Sequence, residues 1–194
     1  MISKKTPLIL EGQNVILHEI TPEFFSYVVE WRNNPTLNKF LNQTFTLTQE
    51  LEKKWYEEIY LPDDTQEFFI MVDKENFQPF GTIGRTNIDL KNKVCIYGRL
   101  LLGNSSYAMS PTFWESFFVL ADHSYSTVDV EYIHVAKENR KAMRLDKTLG
   151  FVPNEEEIKF PKECFVNGLV QEELYRTKEM YLKIREKLFD KLVS

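Results

Sequence analysis

Hydrophobic positions along the chain recur at two-residue spacing in some stretches and at three or four in others, so strands and helices alternate. Val15-Ile16-Leu17 begins a strand. Thr21-Pro22 opens a helix with a capping residue and a first-turn proline, and Phe24, Tyr27, Val28 and Trp31 then share one helical face. Asn33-Asn34-Pro35 ends it, because the residue before proline is pushed out of helical geometry. Thr46 and Gln49 have capping-box spacing, and Leu51, Trp55 and Ile59 form the apolar stripe of a second helix that closes at Pro62-Asp63-Asp64. The unbroken apolar run Phe68 to Val72 predicts a central strand covered on both faces.

Two further strands are predicted over Phe80 to Ile88 and Val94 to Leu102, joined by a turn from Asp89 to Lys93. Ser110-Pro111 opens a third helix, whose apolar arc of Phe113, Phe117 and Leu120, with Trp114, Phe118 and Ala121 beside it, is wide enough for deep packing. A short strand from Tyr132 to Val135 and a helix from Asn139 to Leu149 follow, with Gly150 as the helix cap. Extended segments near Ile158-Phe160 and Glu173-Thr177 and a helix from Met180 to Leu188 complete the chain. This order predicts an α/β fold: a mixed, mostly antiparallel central sheet flanked by helices, in one domain over residues 1–194.

Composition narrows the function classes. A hydrophobic share of 43% and 27 aromatic residues exclude a disordered chain. The net charge of -5 gives no broad attraction to nucleic acid or anionic membranes, leaving room only for a local basic groove. Cys95 and Cys164 match no metal-ligand spacing and read as thiols of a reducing compartment, with a single disulfide left open. With no signal-like start and no apolar run of about 20 residues, a cytoplasmic protein is expected. The sequence carries no metal site, nucleophilic triad, Walker loop or dinucleotide fingerprint.

Two stretches then carry a resemblance. One is Asn139-x-x-Ala142-x-x-Leu145-x-x-x-Leu149-Gly150-Phe151; the other is Phe80-Gly81-Thr82-Ile83-Gly84 followed by Tyr97-Gly98-Arg99-Leu100-Leu101-Leu102-Gly103. In this order and spacing, across about Val15 to Thr177, they resemble the GCN5-related N-acetyltransferase (GNAT) superfamily. The opening, with Trp31-Arg32-Asn33-Asn34-Pro35, is similar to the branch that acetylates ribosomal-protein N-termini, polyamines and nucleotide-linked amino sugars. The resemblance implies acetyl-CoA as cosubstrate and a primary amine of a small molecule as acceptor, with a homodimer left open. It also implies that backbone groups of Leu100, Leu101 and Leu102 polarise the thioester and that Asn139 and Ala142 lie along the cofactor.

The chain departs from the family at two places. Where the pyrophosphate turn usually carries glycines, this sequence has Met109, Pro111 and Phe113, and proline has no N–H to donate. Each lost hydrogen bond to a charged group is worth about 1.5–3 kcal/mol. Ser110 can still cap the helix, and the amides of Thr112, Phe113 and Trp114 remain candidates to face an anion. The family's tyrosine, four residues after the alanine, is here Asp146, which can donate a proton only if burial raises its pKa and otherwise is a solvated helix aspartate.

His134 and Tyr97 are the other candidates for proton handling, and His134 also reads as a structural strand histidine. Tyr97 and Arg99, flanking Gly98, are expected on one face of their strand. Arg32, Asn33 and Arg99 are candidates for holding the acceptor, against plain readings as a helix-end charge, a turn asparagine and a surface ion pair. Glu115 is expected to complement a helix dipole, and His18 and His123 show no partner pattern. The alternative to an enzyme is a GNAT-fold binding module that has lost ordinary acetyl-CoA binding.

Overall fold

A computed structural model describes residues 6–41, 43–155 and 169–193. Among the described residues, eight strands form one sheet in the order β1-β2-β3-β4-β5-β6-β8-β7. They are β1 (Ile9–Glu11), β2 (Val15–Glu19), β3 (Glu67–Asp73), β4 (Pro79–Asp89), β5 (Val94–Leu102), β6 (Val130–Ala136), β7 (Val152–Pro153) and β8 (Gln171–Thr177). Every neighbouring pair is antiparallel except β5 and β6. The expected mixed, mostly antiparallel sheet flanked by helices is therefore present. The pattern did not predict β1 or β7, and the segment near Ile158-Phe160, like Cys164, lies outside the described residues.

The helices are α1 (Phe25–Asn33), α2 (Gln49–Trp55), α3 (Pro111–Ser124), α4 (Arg140–Thr148) and α5 (Lys178–Val193). β3 shows why its run is apolar throughout. Phe69 and Met71 join the cluster under α3 and α4, whereas Phe68, Ile70 and Val72 pack with Phe25 and Val28 of α1 and with Tyr60. A third cluster joins Cys95 of β5 to α3 and to Tyr181 and Val193 of α5. The α3, α4 and α5 layer thus covers one face, and α1 and α2 cover the other.

Helix α2 departs from the pattern. Its cap is Thr48, whose hydroxyl accepts from Leu51 N, so the helix starts two residues later than the Thr46–Gln49 spacing predicts. Leu51 and Ile59, expected on the buried stripe, are 42% and 54% exposed, while Glu52 is 2% exposed. The helix widens into a π turn over Tyr56–Tyr60, which swings Tyr60 inward so that its hydroxyl donates to Glu19 at 2.7 Å. Such widened turns concentrate at functional sites.

Glu115 is also placed differently from expectation. It is buried and accepts from the amides of Gln13 at 2.5 Å and Asn14 at 2.7 Å, so it anchors the β1–β2 turn to α3. His123 does have a partner. It meets Glu67 at 3.1 Å, and Glu67 in turn receives Arg85 Nε at 2.7 Å, which ties β3, β4 and the end of α3 together.

Candidate active site

The strands β5 and β6 pair only from Val94–Val130 to Ile96–Tyr132. Beyond that point the two strands no longer pair, and among the described residues Tyr97 to Leu102 face a wedge bounded by the rest of β6. On its other edge β5 carries a bulge against β4. The register runs from Thr82–Leu101 to Gly84–Gly98, two steps on β4 against three on β5. Arg99 takes up the extra residue at φ 54°, a left-handed conformation that is uncommon outside glycine. Thr82 Oγ1 donates to the Arg99 carbonyl at 2.7 Å and fixes the bulge. A bulge breaks ladder pairing and re-aims backbone groups, here immediately before Leu100, Leu101 and Leu102.

That bulge corrects the expectation that Tyr97 and Arg99 share a face. Tyr97 points into the α3 layer, where its buried hydroxyl donates to the Phe117 carbonyl at 3.3 Å. Burial drives its pKa well above the usual phenol range, so it stays a neutral core residue rather than a proton carrier at the wedge. Arg99 lies on the α1–α2 side, its guanidinium over the rings of Phe68 at 5.2 Å and Trp55 at 5.5 Å. Arg99 Nη2 donates to Gln66 Oε1, while its Nε is buried with no partner.

At the start of α3, Ser110 is the cap, its hydroxyl accepting from Phe113 N at 3.1 Å. Trp114 N donates to the Ser110 carbonyl, and Ser110 N to that of Tyr107. The amides of Phe113 and Trp114 are therefore committed inside the helix and do not face outward as expected, and both rings are buried against Phe117. The amides of Met109 and Thr112 have no acceptor among the described residues. Met109 sits at φ 64°, so the turn keeps a glycine's backbone shape with a methionine in it.

On α4, Asn139, Ala142, Asp146 and Leu149 share one helical face. Asn139 Oδ1 caps the helix by accepting from Ala142 N at 3.2 Å, and Gly150 closes it at φ 86°. Asp146 is 7% exposed, and none of the described residues donates a hydrogen bond to its carboxyl. Burial pushes its pKa up to about 7, with Arg176 opposing the shift. Arg176 is largely occupied elsewhere: it meets Glu131 at 2.6 Å and the Leu149 carbonyl at 2.7 Å, with Phe151 4.2 Å from its guanidinium. Asp146 thus meets the burial condition that a proton donor requires.

His134 does not join Asp146. Ile133 and Val135 point into the α3–α4 layer, so His134 between them faces the opposite side of the sheet. There its Nε2 meets Glu173 of β8 at 2.8 Å, and Asn154 holds the other Glu173 oxygen at 2.6 Å.

The α1 end approaches the same stretch of β5 from the other face. Trp31 lies against Gly103, where an added Cβ would meet its ring at 2.2 Å. Arg32 Nε donates to Gln43 at 2.9 Å. Asn33 spends its amide on Leu47, both giving and accepting at 2.8 Å, and so braces a loop instead of facing a ligand. Near Arg32 and Arg99 lies Glu52, which the sequence reading missed; burial raises its carboxyl pKa against the pull of both arginines. Its signal was the glutamate itself at an inward helical position, masked by the more apolar Leu51 beside it.

On the opposite face of α4, Lys137, Arg140, Arg144 and Lys147, with Met143 and Thr148, line an open depression of about 550 Å³. Among the described residues, no three His, Cys, Asp or Glu side chains are grouped to hold a metal ion, and no helix is long and apolar enough to cross a membrane.

No protein-family model matches the chain, and no curated protein does. Solved structures do match it. A GCN5-related N-acetyltransferase from Brucella melitensis superposes with TM-score 0.78 at 16% identity, covering 98% of this chain and 87% of that one. FdhC, a nucleotide-linked sugar GNAT, gives TM-score 0.74 at 15% identity over 97% of this chain and 100% of its own. Spermidine N-acetyltransferase from Vibrio cholerae, in complex with CoA and spermine, gives 0.70 at 18% identity over 88% and 99%. The chain has the GNAT fold.

Proposed function

We propose that this chain is an acetyl-CoA-dependent N-acetyltransferase acting on the primary amine of a small molecule, with a nucleotide-linked amino sugar as the favoured acceptor class. The observation that carries the reading is the wedge between β5 and β6, with the Arg99 bulge on one wall. Neighbours of the same fold that acetylate spermidine or nucleotide-linked sugars agree with it. Trp31-Arg32-Asn33 at the end of α1 favours the sugar class.

When bound, acetyl-CoA supplies an activated acetyl thioester. The residues fit it well at the acyl end and less well at the pyrophosphate end. Backbone N–H groups along Leu100 to Leu102, re-aimed by the bulge, polarise the thioester carbonyl as charge develops on its oxygen. Asn139 and Ala142 lie along the pantetheine arm. The Met109 and Thr112 amides and the positive end of α3 are what remains to hold phosphate. As the amine nitrogen bonds to the acetyl carbon and the C–S bond breaks, Asp146, protonated over part of its population at neutral pH, would supply the proton to the leaving sulfur, and the protons lost by the amine would pass to solvent.

A second reading is a binding module without acetyl transfer. One observation favours it: Pro111 has no N–H, and the Phe113 and Trp114 amides are bonded within the helix. Thiol release from acetyl-CoA with a panel of primary amines tests the two. Turnover with any amine above the hydrolytic background supports the enzyme, and none across the panel supports the module.

A further inference from the structure

Helix α2 buries a carboxylate where an apolar side chain was at hand. Glu52 is 2% exposed, while Leu51 beside it and Ile59 two turns on are turned to solvent. Burying a charge costs several kcal/mol unless it is paired and hydrogen-bonded. Neither compensation is present. Among the described residues nothing hydrogen-bonds to the Glu52 carboxyl, and neither Arg32 nor Arg99 closes an ion pair with it, although both act on it electrostatically.

The arginines are likewise only partly used. Arg32 spends its Nε on the neutral Gln43, and Arg99 spends Nη2 on the neutral Gln66, leaving Nε buried without a partner. The other carboxylates close by are already committed. Glu19 accepts from Tyr60 and from Leu8 N, and Asp63 accepts from Thr65 and Gln66. Two guanidinium groups and one carboxyl therefore stand together with donors and acceptors to spare, beside the Arg99 bulge of β5. Local rules of helix packing are broken in natural chains chiefly where function requires it.

We infer that this cluster is an acceptor subsite for an amine that also carries an anionic group, a carboxylate or a phosphate. Arg99 and Arg32 hold the anion, and Glu52 is the counter-charge of the ammonium. The net excess of one cation sets the selectivity. A polycation such as spermidine meets two arginines for one carboxylate and is disfavoured, whereas a neutral amine leaves both guanidinium groups unanswered. Planar arginine forks suit either oxyanion. The inference takes its acceptor from the N-acetyltransferase reading, but the subsite is testable without turnover.

The experiment is direct calorimetric titration of the full chain, without acetyl-CoA, using glucosamine, glucosamine 6-phosphate, muramic acid and spermidine. The first three share one amino-sugar frame and differ in the anion. At least one of the two anionic amines is expected to bind about tenfold or more tightly than glucosamine, and spermidine more weakly than either. Whichever leads assigns the anion as phosphate or carboxylate. Arg99→Lys, which keeps the charge but removes the planar fork, is expected to reduce that preference to about threefold or less at an unchanged circular-dichroism spectrum. Equal affinity for charged and uncharged sugars, tighter spermidine, or no binding by any of the four overturns the subsite. Binding with the predicted preference but no thiol release from acetyl-CoA keeps the subsite and removes the transferase reading.

Discussion

Tyr97 and Arg99 are separated by one residue of β5 yet lie on opposite sides of the sheet, the first bonded to the Phe117 carbonyl and the second over Phe68 and Trp55. The extra bulge residue inverts the alternation, and Thr82 holds it by donating to the Arg99 carbonyl. Thr82→Val keeps the side-chain shape and leaves that carbonyl without its donor, which costs about 1–3 kcal/mol. A lowered thermal midpoint together with slower acetyl transfer is expected, because the same bulge aims the Leu100 to Leu102 backbone. Unchanged turnover would separate the bulge from catalysis.

Asp146 predicts an unusual pH response. Its folded pKa of about 7 lies above the ordinary 3.8, so the stability it contributes is complete below about pH 4 and is lost as pH rises through 7. About three pK units correspond to about 4 kcal/mol by pH 8. Asp146→Asn cannot titrate, so denaturant melts should find it more stable than the parent at about pH 8, with the difference shrinking toward about pH 4. Its turnover should fall by about 10²-fold or more. A difference that does not change with pH would show that the carboxyl is not buried as described.

The opposite sign is expected at Glu67. Burial alone would raise its pKa, but hydrogen bonds from His123 and Arg85 outweigh it and bring the carboxyl down to about 2. The stability it contributes is therefore present above about pH 4.5 and lost as pH falls toward 2. Glu67→Gln should cost about 3 kcal/mol at neutral pH, with the gap to the parent narrowing in acid. Urea melts at several pH values measure both the size and the direction.

Gly84 and Gly98 face each other across β4 and β5 but differ in room. A Cβ at Gly84 would meet the Glu67 carbonyl oxygen at 2.3 Å, whereas one at Gly98 meets nothing within 4 Å. Gly84→Ala should cost about 1–3 kcal/mol, because a backbone atom must move. Gly98→Ala should stay within about 1 kcal/mol of the parent or gain slightly. Thermal denaturation of the pair checks this, and a reversed order would contradict the register between the two strands.

The sequence was most readable where spacing and local chemistry agreed. The continuous run in β3, the Ser110-Pro111 start of α3 and the Gly150 cap of α4 all stand where the pattern put them. It was least readable where one event changed what followed. A single inserted residue at Arg99 inverted a strand's faces, and the rotation of α2 put Glu52 inward in place of Leu51. Partners far along the chain were also hidden. Glu173, which holds His134, is 39 residues away, and only the β6–β8 ladder brings them together. The raised pKa of Asp146 could be framed in advance only as a condition on burial, because burial is a property of the packed α4 layer.

The measurement that tests the central claim most directly is calorimetric titration of acetyl-CoA into the intact protein. The wedge and the Met109 and Thr112 amides predict saturable one-to-one binding in the micromolar range, strengthened by about one to two decades in the Met109→Gly, Pro111→Gly double variant, which restores the missing donor. No heat of binding at millimolar acetyl-CoA would contradict the account and leave the fold without its cosubstrate.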